Sequence, residues 1–204
     1  MIGKKGFQLT ATFLVILILT VVIFTGAIYF TKRFFTTAEQ MRATIDRQTE
    51  AEIEALLYQE GNLIALPVFK KKVPRGQQAT FGIGVKNMLE RTENFYIFVK
   101  FSKAFDANEE VITGTDSNFI DTQWLLYHQG PYVVENNKLE MIPVMALADL
   151  KMAEGETTSK GTYSFNVCVI AGPPPSGFNC ASPPRPLPPA VYGGKVYKIY
   201  VEVV

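Results

Sequence analysis

Tyr163-Ser164-Phe165-Asn166-Val167-Cys168-Val169 decides the fold. Its large apolar side chains recur at every second residue, the period of a strand with one buried face. The same alternation runs through Ala79-Thr80-Phe81-Gly82-Ile83-Gly84-Val85-Lys86, where Phe81, Ile83 and Val85 share a face opposite Thr80 and Lys86. It returns in Phe95-Tyr96-Ile97-Phe98-Val99-Lys100-Phe101, and again at the end, with Tyr197, Ile199, Val201 and Val203 inward and Lys198 and Glu202 outward. Leu63 to Phe69, Gln123 to Tyr127 and Lys138 to Leu147 bring the total to about seven strands separated by turn clusters, which predicts an antiparallel β-sandwich head over residues 62–204. That length suffices for one domain with its own core.

Upstream the period changes. Residues 1–6 form a basic leader, Lys4-Lys5-Gly6, that runs into about 24 uncharged residues, Phe7 to Phe30. At about 1.5 Å per residue such a helix reaches about 36 Å, enough to cross a hydrocarbon core of about 30 Å, so a transmembrane helix is predicted over 7–33. Thr25-Gly26-Ala27 offers small residues to a signal peptidase, but the apolar run before it exceeds an ordinary signal-peptide core and continues through Phe30. Lys4 and Lys5 on one side are matched by Lys32 and Arg33 on the other, so charge alone does not orient the segment. From Phe34, the residues Ala38, Met41, Ile45, Gln48, Glu52 or Ile53, and Leu56 follow at helical spacing, and Gly61-Asn62 supplies a stop. An amphipathic helical stalk is thus predicted over 34–61, with two basic and six acidic residues, a poor surface for nucleic acid. The expected fold is a single-pass membrane protein: a long N-terminal α-helix followed by an all-β immunoglobulin-like sandwich.

Two resemblances sharpen these expectations. Lys4-Lys5-Gly6 followed by Phe7-Gln8-Leu9-Thr10 resembles the class III signal of type IV pilins and archaeal pilin-like proteins. The resemblance implies cleavage by a prepilin peptidase between Gly6 and Phe7, and a helix that serves first as an anchor and then as a filament core. Bacterial major pilins usually carry glutamate at the fifth mature position, which here is Ala11, a departure that fits archaeal or minor subunits. The alternative is a plain signal anchor in which Gly6 has no role. Val73-Pro74-Arg75-Gly76-Gln77 with Phe81 to Val85 and Asn87 resembles the opening of immunoglobulin-like domains of archaeal surface proteins, and Gly161-Thr162-Tyr163 through Val167 resembles their closing strand. Together they imply a membrane-anchored pilin-like surface protein, a structural subunit or assembly component of a pilus-like filament. Its implied partners are membrane lipid, a prepilin peptidase, and further copies or other pilin-like subunits. The implied location is the cell membrane, N-terminus cytoplasmic and C-terminal domain extracellular. The alternative is a single-pass anchored immunoglobulin-like binding or adhesion module that does not polymerise.

No residue constellation declares a chemistry. His128, the one histidine, stands beside Gln129-Gly130-Pro131, a turn. One His and two Cys fall short of a tetrahedral zinc set unless carboxylates join, and a Cys168/His128 nucleophile pair has no further support. Gly82-x-Gly84 lies within a strand and lacks the third glycine and the helix of a phosphate cradle. Asp106-Ala107-Asn108-Glu109-Glu110 and Asp116-Ser117-Asn118 do not have the spacing of an EF-hand loop. No catalytic, cofactor-binding or metal-binding residue is therefore expected, and the chain is not expected to be an enzyme.

Cys168 and Cys180 carry the remaining expectation. Tyr163, Phe165, Val167 and Val169 occupy the core face of their strand, so Cys168 should point away from it. Cys180 lies in loop 172–194, which holds eight of the twelve prolines. A disulfide between them would pin this loop to the strand, contribute about 3 kcal/mol in the chain-entropy account, and require an oxidising compartment. Proline cannot donate to a sheet ladder, so the loop should be exposed and stiff, with Phe178, Arg185 and Tyr192 available to a neighbouring subunit or a cell surface. Arg185-Pro186-Leu187-Pro188-Pro189 looks like part of an SH3-domain ligand, but Val191 stands where the second spaced proline belongs.

Overall fold

The computed structural model describes residues 15–25 and 47–204. The chain divides into two compact units, Met1–Ala43 and Thr44–Val204. In the first, residues 15–25 form a helix, α1. Its two hydroxyls, Thr20 and Thr25, donate back to the carbonyls of Ile16 and Val21 at 2.8 and 2.7 Å.

This helix corrects the expected membrane architecture. Among the described residues no helix is long and apolar enough to cross a membrane. The expected single-pass membrane protein is therefore overturned, and with it the cell-membrane location and its cytoplasmic and extracellular sides. The long N-terminal α-helix is also replaced: the described α-helices are 15–25, Arg47–Tyr58 (α2) and Ser117–Gln123 (α3). The leader 1–6, the cleavage pair Gly6 and Phe7, and stalk residues 34–46 lie outside the described residues.

In the second unit α2 packs on the sandwich. Ile53 and Leu57, one turn apart, are fully buried together with Ala65, and Leu56, Leu139 and Met141 border them. The apolar stripe of this helix is thus spent on its own domain. Gly84 makes the contact possible, because a β-carbon there would collide with Ile53 and stand 2.8 Å from Leu57 Cδ1.

The sandwich has two sheets. The first is ordered β1 (Ile64–Ala65), β3 (Gln78–Lys86), β7 (Leu139–Leu147), β5 (Leu125–Leu126), all antiparallel. The second runs β2 (Lys70–Val73), β11 (Tyr197–Val203), β10 (Gly161–Ala171), β4 (Glu93–Phe105), β6 (Tyr132–Val134). Its pairs are antiparallel except β2 with β11, which is parallel. A small hairpin, β8 (Lys151–Ala153) with β9 (Glu156–Thr157), completes the strands. Strands one, two, four and five of an immunoglobulin fold form one sheet and strands three, six and seven the other. Here β1, β3, β7 and β5 take the first set and β4, β10 and β11 the second, with β6 as an added edge. The topology is therefore that of an immunoglobulin-like β-sandwich.

One core joins the sheets. Phe81, Ile83 and Val85 of β3 and Ile142 and Val144 of β7 face Phe95, Ile97 and Val99 of β4 and Phe165 and Val167 of β10. In β4 the buried residues step by two from Phe95 to Phe101 and then by three to Ala104, because the pairing with β10 shifts register after Phe101. That shift is a β-bulge, in which one strand carries an extra residue, here Ser102. Trp124, fully buried, stacks at 4.6 Å on Tyr163 and donates its indole N–H to the Lys151 carbonyl. Tyr163, at the start of β10, donates its hydroxyl to the Ser159 carbonyl at 2.9 Å, the tyrosine corner of immunoglobulin-like domains. Asn87, wholly buried, donates to the carbonyls of Arg91 and Val134 and accepts from Leu89 N–H. All its polar atoms in reach are paired, so it ties the turn after β3 to edge strand β6.

Candidate functional site

The outer face of β10 carries the features that the core does not explain. Cys168 and Cys180 are bonded, with Sγ–Sγ 2.03 Å and Cα–Cα 6.0 Å. Cys168 lies on the face opposite Val167 and Val169, and it is fully buried because loop 172–194 covers it. The loop is fastened along its length. Asn166 Nδ2 donates to the carbonyls of Cys180 at 3.0 Å and Ala181 at 3.1 Å. Phe178 stands edge-on to Phe98 at 5.8 Å, and the backbones of Val191 and Ile170 form an isolated bridge. Tyr192 inserts behind β4, edge-on to Phe95 at 4.9 Å, with its hydroxyl donating to the Lys86 carbonyl and accepting from Met88 N–H. Burial pushes its phenol above the usual range. Phe178 and Tyr192, expected as exposed contacts, are thus fastened inward, while Arg185 is exposed.

Every residue of β10 from Tyr163 to Ile170 is consequently buried, on both faces. The loop acts as a third layer over Asn166 and Cys168, and a second small polar residue, Ser164, is buried in the same strand. Two of their atoms, Ser164 Oγ and Asn166 Oδ1, have no hydrogen-bond partner. Buried polar atoms are rarely left so, since each costs about 1–3 kcal/mol.

Beside Asn166 the loop stands off the sheet and leaves a cleft of about 530 Å³. Arg185 and Leu187 from the loop, Lys195 and Val196 from the approach to β11, and Lys198 of β11 line it. Lys198 is the direct cross-strand neighbour of Asn166, and Lys100 flanks Asn166 on its other side. Lys100 is committed to Asp121 at 3.2 Å. Among the described residues Arg185, Lys195 and Lys198 make no ion pair. Lys195 lies 4.8 Å over the ring of Tyr197, whose phenol is raised by burial against the opposing charge of that lysine. The cleft therefore gathers three cations without carboxylate partners beside Asn166, one of them, Lys195, engaged with Tyr197. Sequence reading did not find it, because the three residues lie in two segments, the loop and the approach to β11, whose convergence has no local signal.

The residues weighed for chemistry are structurally occupied. His128 stacks edge-on to Tyr132 at 5.2 Å. Asp106 Oδ1 accepts from the amides of Asn108 and Glu110, closing a turn. Asp116 caps α3 by accepting from Asn118 and Phe119 N–H. Gly84 seats α2, which accounts for one glycine of Gly82-x-Gly84. Among the described residues no three His, Cys, Asp or Glu side chains gather closely enough to hold a metal ion.

No protein-family model matches the chain, and no curated protein does. Solved structures with a similar arrangement include the ASH/PapD-like domain 7 of human CEP192, at TM-score 0.41 and 8% identity over 70% of this chain and 86% of that one. A family 123 glycoside hydrolase from Clostridium perfringens aligns at TM-score 0.39 and 13% identity, over 67% of this chain and 23% of that one. The class 5 fimbriae chaperone CfaA aligns at TM-score 0.35 and 10% identity, over 69% and 56%. Similarity this low carries no function across.

Proposed function

We propose that this protein is a non-enzymatic, pilin-like structural subunit that associates with further copies through α1 and displays the sandwich as its body. One observation carries the reading. All of residues 15–25 are exposed, and the large apolar ones among them range from 51% at Leu17 to 67% at Ile23. A helix apolar all round has no face suited to water and is stable when other apolar surface encloses it. A second copy supplies a matching surface of Val, Ile and Leu side chains, which interdigitate as ridges and grooves. The apolar stripe of α2 is already spent on its own sandwich, so it does not compete for that role.

Sedimentation velocity of the full chain over a wide concentration range tests this. Association should grow with concentration and disappear in Leu19→Glu, while the thermal unfolding of the sandwich stays at the parent value. A chain that remains monomeric throughout would overturn the reading and leave the immunoglobulin-like binding module that does not polymerise.

A further inference from the structure

We propose that the heads of neighbouring copies stack in one direction, with the acidic flank of α2 in one copy lying on the basic outer face of the second sheet in the next. This stacking rests on the self-association through α1 proposed above and is the way copies so gathered meet. On that sheet the outward positions of β2, β11 and β4 hold Lys70, Lys72, Lys198, Lys100 and Lys103 against one glutamate, Glu202. Glu202 takes Lys70 and Lys72, and Asp121 takes Lys100, so Lys103 and Lys198 make no ion pair among the described residues. Phe69, 56% exposed, stands edge-on to Tyr200 of the same face and supplies an aromatic anchor of the kind enriched at interfaces.

The opposite side of the sandwich carries the complement. Helix α2 lies on the outer face of the first sheet, against Gly84 of β3 and Leu139 and Met141 of β7. Glu50 and Glu54, one turn apart, are exposed and make no ion pair among the described residues. Arg47 is the one basic residue of the helix, and nearby Lys86 lies over the Tyr58 ring at 4.3 Å. Packed sheets stand about 10 Å apart and the helix adds a further layer, so Glu54 cannot reach Lys198 within one chain. A contact between these two surfaces joins different patches of the two partners, and it propagates as an open stack unless its rotation closes a ring. Exposed ion pairs are individually weak, so this contact does not gather the heads alone. Helix α1 raises their local concentration, and the ion pairs then set their register. A foreign polyanion would suit the basic face alone, whereas a second copy accounts for both surfaces.

The test places the photoreactive residue p-benzoylphenylalanine at the exposed Ala51 of the full chain, and irradiates an assembled equal mixture of isotope-labelled and unlabelled protein. Mass spectrometry should find mixed-isotope adducts joining the α2 peptide to peptides of β4 and β11. Glu50→Lys/Glu54→Lys should lower their yield about fivefold or more, as expected when two exposed ion pairs become repulsions. Adding Lys103→Glu/Lys198→Glu to that variant should restore the yield. All four altered positions are exposed, so the sandwich core is left intact. A chain that fails to assemble would overturn this stacking together with the α1 reading. Assembly without adducts on β4 or β11 would overturn the stacking alone. A yield indifferent to the charge reversal, or one that stays low in the swapped variant, would overturn it too.

Discussion

Replacing Gly84 by alanine tests how α2 is held. The glycine has an extended backbone that any residue adopts, so the effect of a side chain there is steric alone. A new β-carbon collides with Ile53 Cγ2, stands 2.8 Å from Leu57 Cδ1 and 3.6 Å from Ala65 Cβ. Overpacking of this kind costs about 1–3 kcal/mol. The ceiling is set by lifting the helix off, which exposes Ile53 and Leu57 at roughly 1.5–3 kcal/mol each, about 3–6 kcal/mol in all. Gly84→Ala should therefore lose about 1–3 kcal/mol, and Gly84→Val should approach the ceiling and release α2. Ile53→Ala alone leaves a cavity worth about 2–5 kcal/mol, but in Gly84→Ala/Ile53→Ala the added methyl occupies part of it. The double variant should accordingly be more stable than the sum of the singles implies, by about 1 kcal/mol or more. Urea unfolding followed by Trp124 fluorescence gives the energies, and hydrogen exchange at residues 53–59 shows whether the helix stays docked. An unchanged midpoint for Gly84→Ala, or additivity within about 0.5 kcal/mol, would refute the seat.

Two further outcomes follow from the same structure. Burial pushes the Tyr163 phenol up to about 12 from the ordinary 10.0. A raised folded-state value means that its contribution is complete below pH 10 and is lost as pH climbs from 10 to about 12. Urea midpoints across that window should fall for the parent and fall less steeply for Tyr163→Phe. The buried phenols of Tyr127 and Tyr192, shifted the same way, keep some slope in the variant. Cys180→Ser should cost about 3 kcal/mol in the chain-entropy account and raise amide exchange in loop 172–194, with β4 and β11 still protected; a loop as protected as the parent's would show that its hydrogen bonds suffice without the bond.

The long strands were legible because each alternates cleanly: β3, β4, β10 and β11 lie where Phe81, Val99, Phe165 and Val201 place them. Strand β2 was not, since Lys-Lys-Lys-Val lacks an apolar face and is held by a parallel partner more than a hundred residues away. Helix α3 was hidden as an acidic cluster, although Asp116 before a short run is an N-cap signal. The bulge at Ser102 leaves no trace in local pattern, because register belongs to the pair of strands and not to either sequence. Hydropathy over Phe7 to Phe30 predicted a membrane span, whereas among the described residues no helix is long and apolar enough to cross one. At the candidate site the cysteines drew attention by their faces, but the cations of the cleft did not, because exposed lysines and arginines carry no local mark of convergence.

The parallel pairing of β2 with β11 has a mechanical consequence. Strand β2 begins at Lys70 beside Tyr200 and ends at Val73 beside Val203, and Glu202 holds both Lys70 and Lys72 at 2.8 and 2.9 Å. A pull on the chain before Lys70 and on the chain after Val203 therefore acts at opposite ends of this patch. Its bonds, including Tyr200 N–H to Phe69 and Val204 N–H to Val73, are loaded in shear and must yield together rather than unzip one after another. The two strands form a clamp against tension transmitted through the domain.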